Sequence, residues 1–309
     1  MKMTYDWVWN AFARPTPQPF LATLPSGDVN ASRTIEPKTK TTVIFFEQGL
    51  FRYFYDFAML VGWALPPISA TQMVDAKALR RMPTQYTMPL QASASFIGAI
   101  GAYVYSGTPL NEATPLVKPP HNALLVERLL VAMERFAMAH ELTHLLKGHL
   151  QLPRDAAESY DREYAADSLV ATAMMAQALV YDYTWAIDIW ACDTALTALR
   201  VLEISLMQAA FGHEVPWVSS THPDPTVRQQ RFRKKNGLYK SHFFSYFLAP
   251  NRAAAAMMCS MTDALLGRLW SFLAPFLAMQ RMKNMRPSPL WNDHIKYNMQ
   301  SPAESDAAQ

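Results

Sequence analysis

Residues 124–150 read LLVERLLVAMERFAMAHELTHLLKGHL, and no other stretch constrains the fold as tightly. Val126, Leu130, Met133, Phe136 and Ala137 recur at helical spacing, and their stripe runs on into His140 and His144. The pattern predicts a long helix whose two histidines point into the protein. Buried imidazoles are costly without partners. Two of them four residues apart on one helix face can reach a single metal ion. His140-Glu141-Leu142-Thr143-His144 is an HExxH sequence. Glu141 overlooks the remaining coordination position, where a carboxylate can take a proton from a metal-bound water.

A zinc site needs more than two protein ligands, and the next acidic cluster offers a third. Glu163-Tyr164-Ala165-Ala166-Asp167 is an ExxxD, with both carboxylates on one helix face. Glu163 is the expected third ligand. Asp167 is expected behind it, accepting a proton from the far nitrogen of a ligating imidazole and fixing its tautomer. His149 also follows the motif. Its spacing fails the HExxHxxGxxH pattern, because Lys147 stands where that pattern needs glycine and Leu150 where it needs histidine. Capping the helix or supporting a ligand is the expected role for His149.

Composition narrows the setting. Half of the 309 residues are hydrophobic and 17% are charged, which provides for a large core. The net charge of +3 gives no specific nucleic-acid signal. Cys192 and Cys259 make neither a CxxC nor a disulfide framework, so a reducing, cytoplasmic location is expected. The N-terminus lacks a signal peptide's apolar core. The apolar runs inspected for membrane spans are short or interrupted, which leaves room for peripheral membrane association only.

In chain order, residues 1–40 read as an irregular arm rich in Pro, Thr, Ser and Asn. Thr41–Glu47 predicts a strand, and Phe51–Leu65 a buried helix ended by Pro66-Pro67. Asp75–Met82 predicts a short helix. Residues 86–107 alternate and carry glycines, so one or two strands are expected, the best being Ala99–Ser106. That strand is either an edge that holds an extended peptide or an ordinary core hairpin. Further helices are expected at Ala156–Tyr181, at Thr184–Phe211 with Asp188, Asp193, Arg200 and Glu203 on its wetter side, and at 241–283 as a pair around Asn251-Arg252. Residues 301–309 read as a disordered tail.

Thr221-His222-Pro223-Asp224-Pro225 predicts a rigid turn opening a helix near Pro225. His222 is either a plain turn residue or a group presented to the metal site. Arg228, Arg231, Arg233, Lys234, Lys235 and Lys240 crowd after it. They read either as a solvated basic face or as a docking site for an acidic partner or anionic lipid.

HExxH with ExxxD, eighteen residues apart (145–162), resembles the gluzincin zinc metallopeptidases. HELTHLLKGH, with its histidine five beyond the second ligand, and Thr-His-Pro followed by Arg228 six residues after His222 resemble the family of the CAAX prenyl protease and HtpX-like enzymes. The resemblance covers roughly residues 99–106 and 136–232. It implies that the His222–Arg228 segment folds back over the zinc. That family usually carries transmembrane helices and often a longer insert, and neither is clear here. The Lit-like phage-exclusion peptidases, soluble and of similar size with an HExxH core, are the second resemblance.

The expectation is a mainly α (α+β) chain forming one metallopeptidase domain over 1–309. It is zincin-like, with a small sheet whose edge strand precedes the HExxH helix and a catalytic core at 86–232. One Zn2+ per chain is held by His140, His144 and Glu163. Glu141 is the general base, and His222 or Arg228 stabilises the oxyanion. The substrate is a protein or peptide, with endopeptidase cleavage favoured. Two other readings stand beside it. One is a non-catalytic, metal-stabilised binding or regulatory protein of the same fold. The other is a membrane-surface or nucleic-acid binder working through the 228–240 cluster.

Overall fold

A computed structural model describes residues 19–26, 29–69, 90–107, 118–149, 155–180, 185–213, 222–238, 249–292 and 295. These residues form a mainly helical fold with one small sheet. The strands are β1 (Phe20–Leu24), β2 (Ala31–Ile35) and β3 (Thr42–Glu47), in the order β1-β3-β2. β3 runs parallel to β1 and antiparallel to β2, which leaves β2 at an edge. Its TVIFFE sequence alternates as expected, burying Thr42, Ile44 and Phe46 on the core side. β1 and β2 correct the reading of 1–40 as an irregular arm. Each has only five residues and neither buries one fully, so alternation gives no signal there; pairing to β3 makes them strands.

α1 (Gln48–Ala64) follows β3 directly and stops where Leu65, extended before Pro66, leaves the helical region. The buried Asn122 ties that end to the start of α3 (Ala123–Leu146). Its amide donates to the carbonyls of Gly62, Leu65 and Pro66, and its Oδ1 accepts from the Ile68 amide. Gly62 permits close packing here: a Cβ would stand 2.2 Å from Val126 Cγ2 of α3.

α2 spans Leu90–Ser106 and overturns the strand expected at Ala99–Ser106. Ala92, Phe96, Ile100 and Tyr103 are buried at spacings of four, four and three, so the helical period prevails over the strand preference of Ile, Val and Tyr. The small Ala, Ser and Gly residues between them blurred that period.

α4 (Ala156–Val180), α5 (Trp185–Phe211), α6 (Pro225–Lys235) and α7 (Ala249–Met282) follow, with a short 3-10 turn at Pro289–Trp291. α7 is one helix where two were expected, with Asn251 and Arg252 in its first turn. α5 is the central rod, packed by α3, α4, α6 and α7. Its supposed wetter side is buried at Asp188 and Asp193, the latter fully. Residues 186–211 are long and apolar enough to cross a membrane, yet 67% of their apolar window is buried inside the protein, as befits a core helix. Buried apolar residues from Ile44 to Trp291 form one continuous core. The expected Asp75–Met82 helix and the 301–309 tail lie outside the described residues.

Candidate metal centre

α3 and α4 lie side by side and bring the two sequence motifs together. His140, His144 and Glu163 are all buried. His140 Nε2 is 3.0 Å from His144 Nε2 and 3.2 Å from Glu163 Oε2, and His144 Nε2 is 3.1 Å from Glu163 Oε1. A tetrahedral zinc at its usual ligand distances keeps its donors about 3.3 Å apart, so this triangle fits one ion closely. The donor set of two imidazoles and a carboxylate suits zinc chemically as well. No other cluster of this kind occurs among the described residues.

Charge at the triangle points the same way. Burial opposes a proton on His140, but Glu163 and Asp167 outweigh it and raise this imidazole to about 10. Burial likewise opposes ionisation of Glu163, yet His140, His144 and Arg228 hold it well below the usual carboxylate range. The cluster is built to hold positive charge, supplied by either a proton or a metal.

Asp167, His149, Arg228 and His222 all lie around the triangle. Asp167 Oδ1 lies 3.1 Å from His140 Nδ1, at hydrogen-bond distance although the ring nitrogen is not well aligned with it. Gly148, at φ +68°, ends α3 in a Schellman turn. The His149 amide donates to His144 O and the Gly148 amide to Leu145 O. α3 therefore stops at Leu146, two residues past His144, and the turn sets His149 Nδ1 3.1 Å from His144 Nδ1. His149 thus closes the turn through its backbone, and its ring lies beside that of His144.

Arg228 is buried, and it forks onto Asp167 with Nε to Oδ2 at 3.0 Å and Nη2 to Oδ1 at 2.8 Å. Its Nη1 is 3.5 Å from Glu163 Oε2. The guanidinium is committed to these two carboxylates, so the expected oxyanion role does not suit it; it holds the acidic motif in place. His222 does come to the site, its Nε2 3.9 Å from Glu163 Oε1 with a half-exposed side chain. Asp224 caps α6, its Oδ1 accepting from the Thr226 amide, with Pro225 at the first helical position.

Of the expected basic face, Arg228 and Arg233 are buried, Arg231 lies over the Tyr164 ring, and Lys234 and Lys235 are exposed. Lys240 is outside the described residues.

A cavity of about 300 Å³ opens beside the triangle, lined by His140, Glu141, Glu163, His222 and Arg228 on its polar side. Burial raises the Glu141 carboxyl, which favours a group that accepts and returns a proton. Two features escaped sequence reasoning. Val29, Asn30 and Ala31, at the start of β2, line the same cavity. Arg33 of β2 donates from Nη2 to the His149 carbonyl at 2.6 Å, tying the edge strand to the end of the HExxH helix. A lone Arg in the short ASRTI stretch carries no signal of a contact 116 residues away.

No family model matches this chain, and no similar characterised protein or solved structure was found.

Proposed function

We propose that this chain is a zinc-dependent metallopeptidase of zincin-like design, resembling the gluzincins. The observation that carries the reading is the triangle of His140, His144 and Glu163 donors with Glu141 beside it on the wall of a cavity. Bound zinc would polarise the scissile carbonyl and acidify a water there. Glu141 takes the proton of the attacking water and passes it to the leaving amine. His222, on the open side of the triangle, donates to the oxygen that gains charge. Asp167 and His149 fix the ring orientations of His140 and His144, and Arg228 fixes Asp167 and Glu163.

The edge strand β2, upstream of α3 in sequence and packed against it, supports this reading. A peptide laid along β2 in extended form would satisfy backbone groups that β3 leaves free, and would run into the cavity at Val29–Ala31. Glu141 favours an enzyme over a purely metal-stabilised binding protein, because a structural ion needs no carboxylate next to its open side.

The test is peptide cleavage by zinc-loaded wild type beside Glu141→Gln, read by mass spectrometry of a proteome-derived peptide mixture. The amide is nearly isosteric but cannot accept the water's proton, so cleavage should fall by more than about 10²-fold with zinc retained. Equal cleavage by the two proteins would sink this mechanism, and no cleavage by wild type would sink the peptidase reading.

A further inference from the structure

One wall of the cavity is a stripe of α5. Leu199, Leu202, Glu203 and Leu206 share one helical face, and all four line the cavity with Phe54 of α1 and Phe136 of α3. In this apolar setting Glu203 is the exception. Its Oε2 is enclosed and accepts no hydrogen bond from the described residues. The hydroxyl of nearby Tyr53 is already spent on the Ala198 carbonyl at 2.7 Å. Arg228 faces Glu203 electrostatically but is forked onto Asp167, and Asp224 adds negative charge on the same side. An enclosed carboxylate oxygen without a hydrogen bond is costly, and the cost is removed by a donor brought in with a ligand.

We propose that Glu203 selects the substrate: the cavity takes a lysine or arginine side chain next to the scissile bond, its methylene stem against Leu199, Leu202, Leu206 and Phe136 and its cationic head on the Glu203 carboxylate. The inference rests on the peptidase reading for the substrate's class, and on the cavity alone for the cation. A volume of about 300 Å³ lies at the lower end for a ligand pocket and accommodates one long side chain. Long basic side chains match such walls, because their stems are apolar and only the head needs charge compensation. Burial pushes the carboxyl above the usual range, and a cation brought against it favours its ionised form. A neutral side chain brings no cation to Glu203, which sets Lys and Arg apart from Leu.

Two measurements test this. In the first, zinc-loaded wild type and Glu203→Gln digest the same peptide mixture, followed by kinetics on a matched pair of peptides carrying Lys or Leu at the position selected. Lys and Arg should be enriched at one position within two residues of the cut. The ratio of kcat/KM for the Lys peptide over the Leu peptide should fall by about 10²-fold in Glu203→Gln, the scale of one buried charged pair lost. In the second, metal-stripped wild type is titrated calorimetrically with n-butylguanidinium and with its neutral isostere n-butylurea. The guanidinium should bind and the urea should not, and Glu203→Gln should remove the difference. Cleavage by wild type without Lys or Arg enrichment overturns the inference and leaves the peptidase reading intact. Absence of all cleavage overturns the peptidase reading, and the titration then decides the cation pocket by itself. Equal binding of the two isosteres overturns the pocket.

Discussion

His149 stands behind His144 and outside the triangle of donors. Its amide closes the Schellman turn, and its ring nitrogen faces the imidazole nitrogen that His144 turns away from Glu163. His149→Ala should therefore weaken zinc binding by about 10–100-fold, measured by competition with a chelating dye, while His149→Gln, which keeps a polar partner, recovers part of the loss. Unchanged affinity in His149→Ala would reduce the residue to its backbone role as a cap. The donors themselves were legible in the sequence because HExxH and ExxxD are local: helical spacing alone puts each pair on one face. The destination of Arg228 was not, since its partner Asp167 lies 61 residues away and nothing local says whether an arginine after a His-Pro turn faces substrate or carboxylate.

At the scale of elements, α6 is the piece that holds the acidic motif from above. Arg228 reaches α4, while Gln229 and Arg233 anchor the same helix to α5 and α7. Arg233 forks onto the fully buried Asp193 at 2.7 Å through both Nε and Nη2, and it meets Asp263 of α7 at 2.6 and 2.9 Å. Removing one partner strands a buried charge, so Arg233→Met should destabilise the fold by about 3–5 kcal/mol in urea unfolding. The double variant Arg233→Met with Asp193→Asn should recover much of that loss. Purely additive losses in the double-mutant cycle would mean that the pair does not hold α6. This network also explains a misreading: Asp188, Asp193 and Glu203 look like a wet stripe on α5, yet they face Arg135, Arg233 and a cavity. Sequence polarity marks which residues need partners and does not say whether water or protein supplies them. The strand pair β1 and β2 was missed for a related reason, because five-residue strands paired on one side bury too little to show a period.

For the molecule as a whole, charge inside the core ties stability to pH. Burial lifts Asp188 to about 6 even though Arg135 pulls it down. An acid whose folded value exceeds its unfolded value of about 3.9 binds its proton more tightly in the folded protein, so its contribution is full at low pH and is lost as pH rises from about 4 to about 6. The unfolding free energy of wild type relative to Asp188→Asn should fall by about 1–3 kcal/mol between pH 4 and pH 7. Parallel profiles for the two proteins would place Asp188 in contact with water. The metal should act on the whole fold too, since α3 and α4 are joined at the triangle and an ion bound there favours the folded state. The most direct test of the central claim is zinc stoichiometry, by native mass spectrometry of wild type beside His140→Ala, His144→Ala and Glu163→Ala. The account predicts about one zinc per wild-type chain and loss of the ion in each variant; a wild-type chain that takes up no zinc, or a Glu163→Ala chain that keeps it fully, would contradict it.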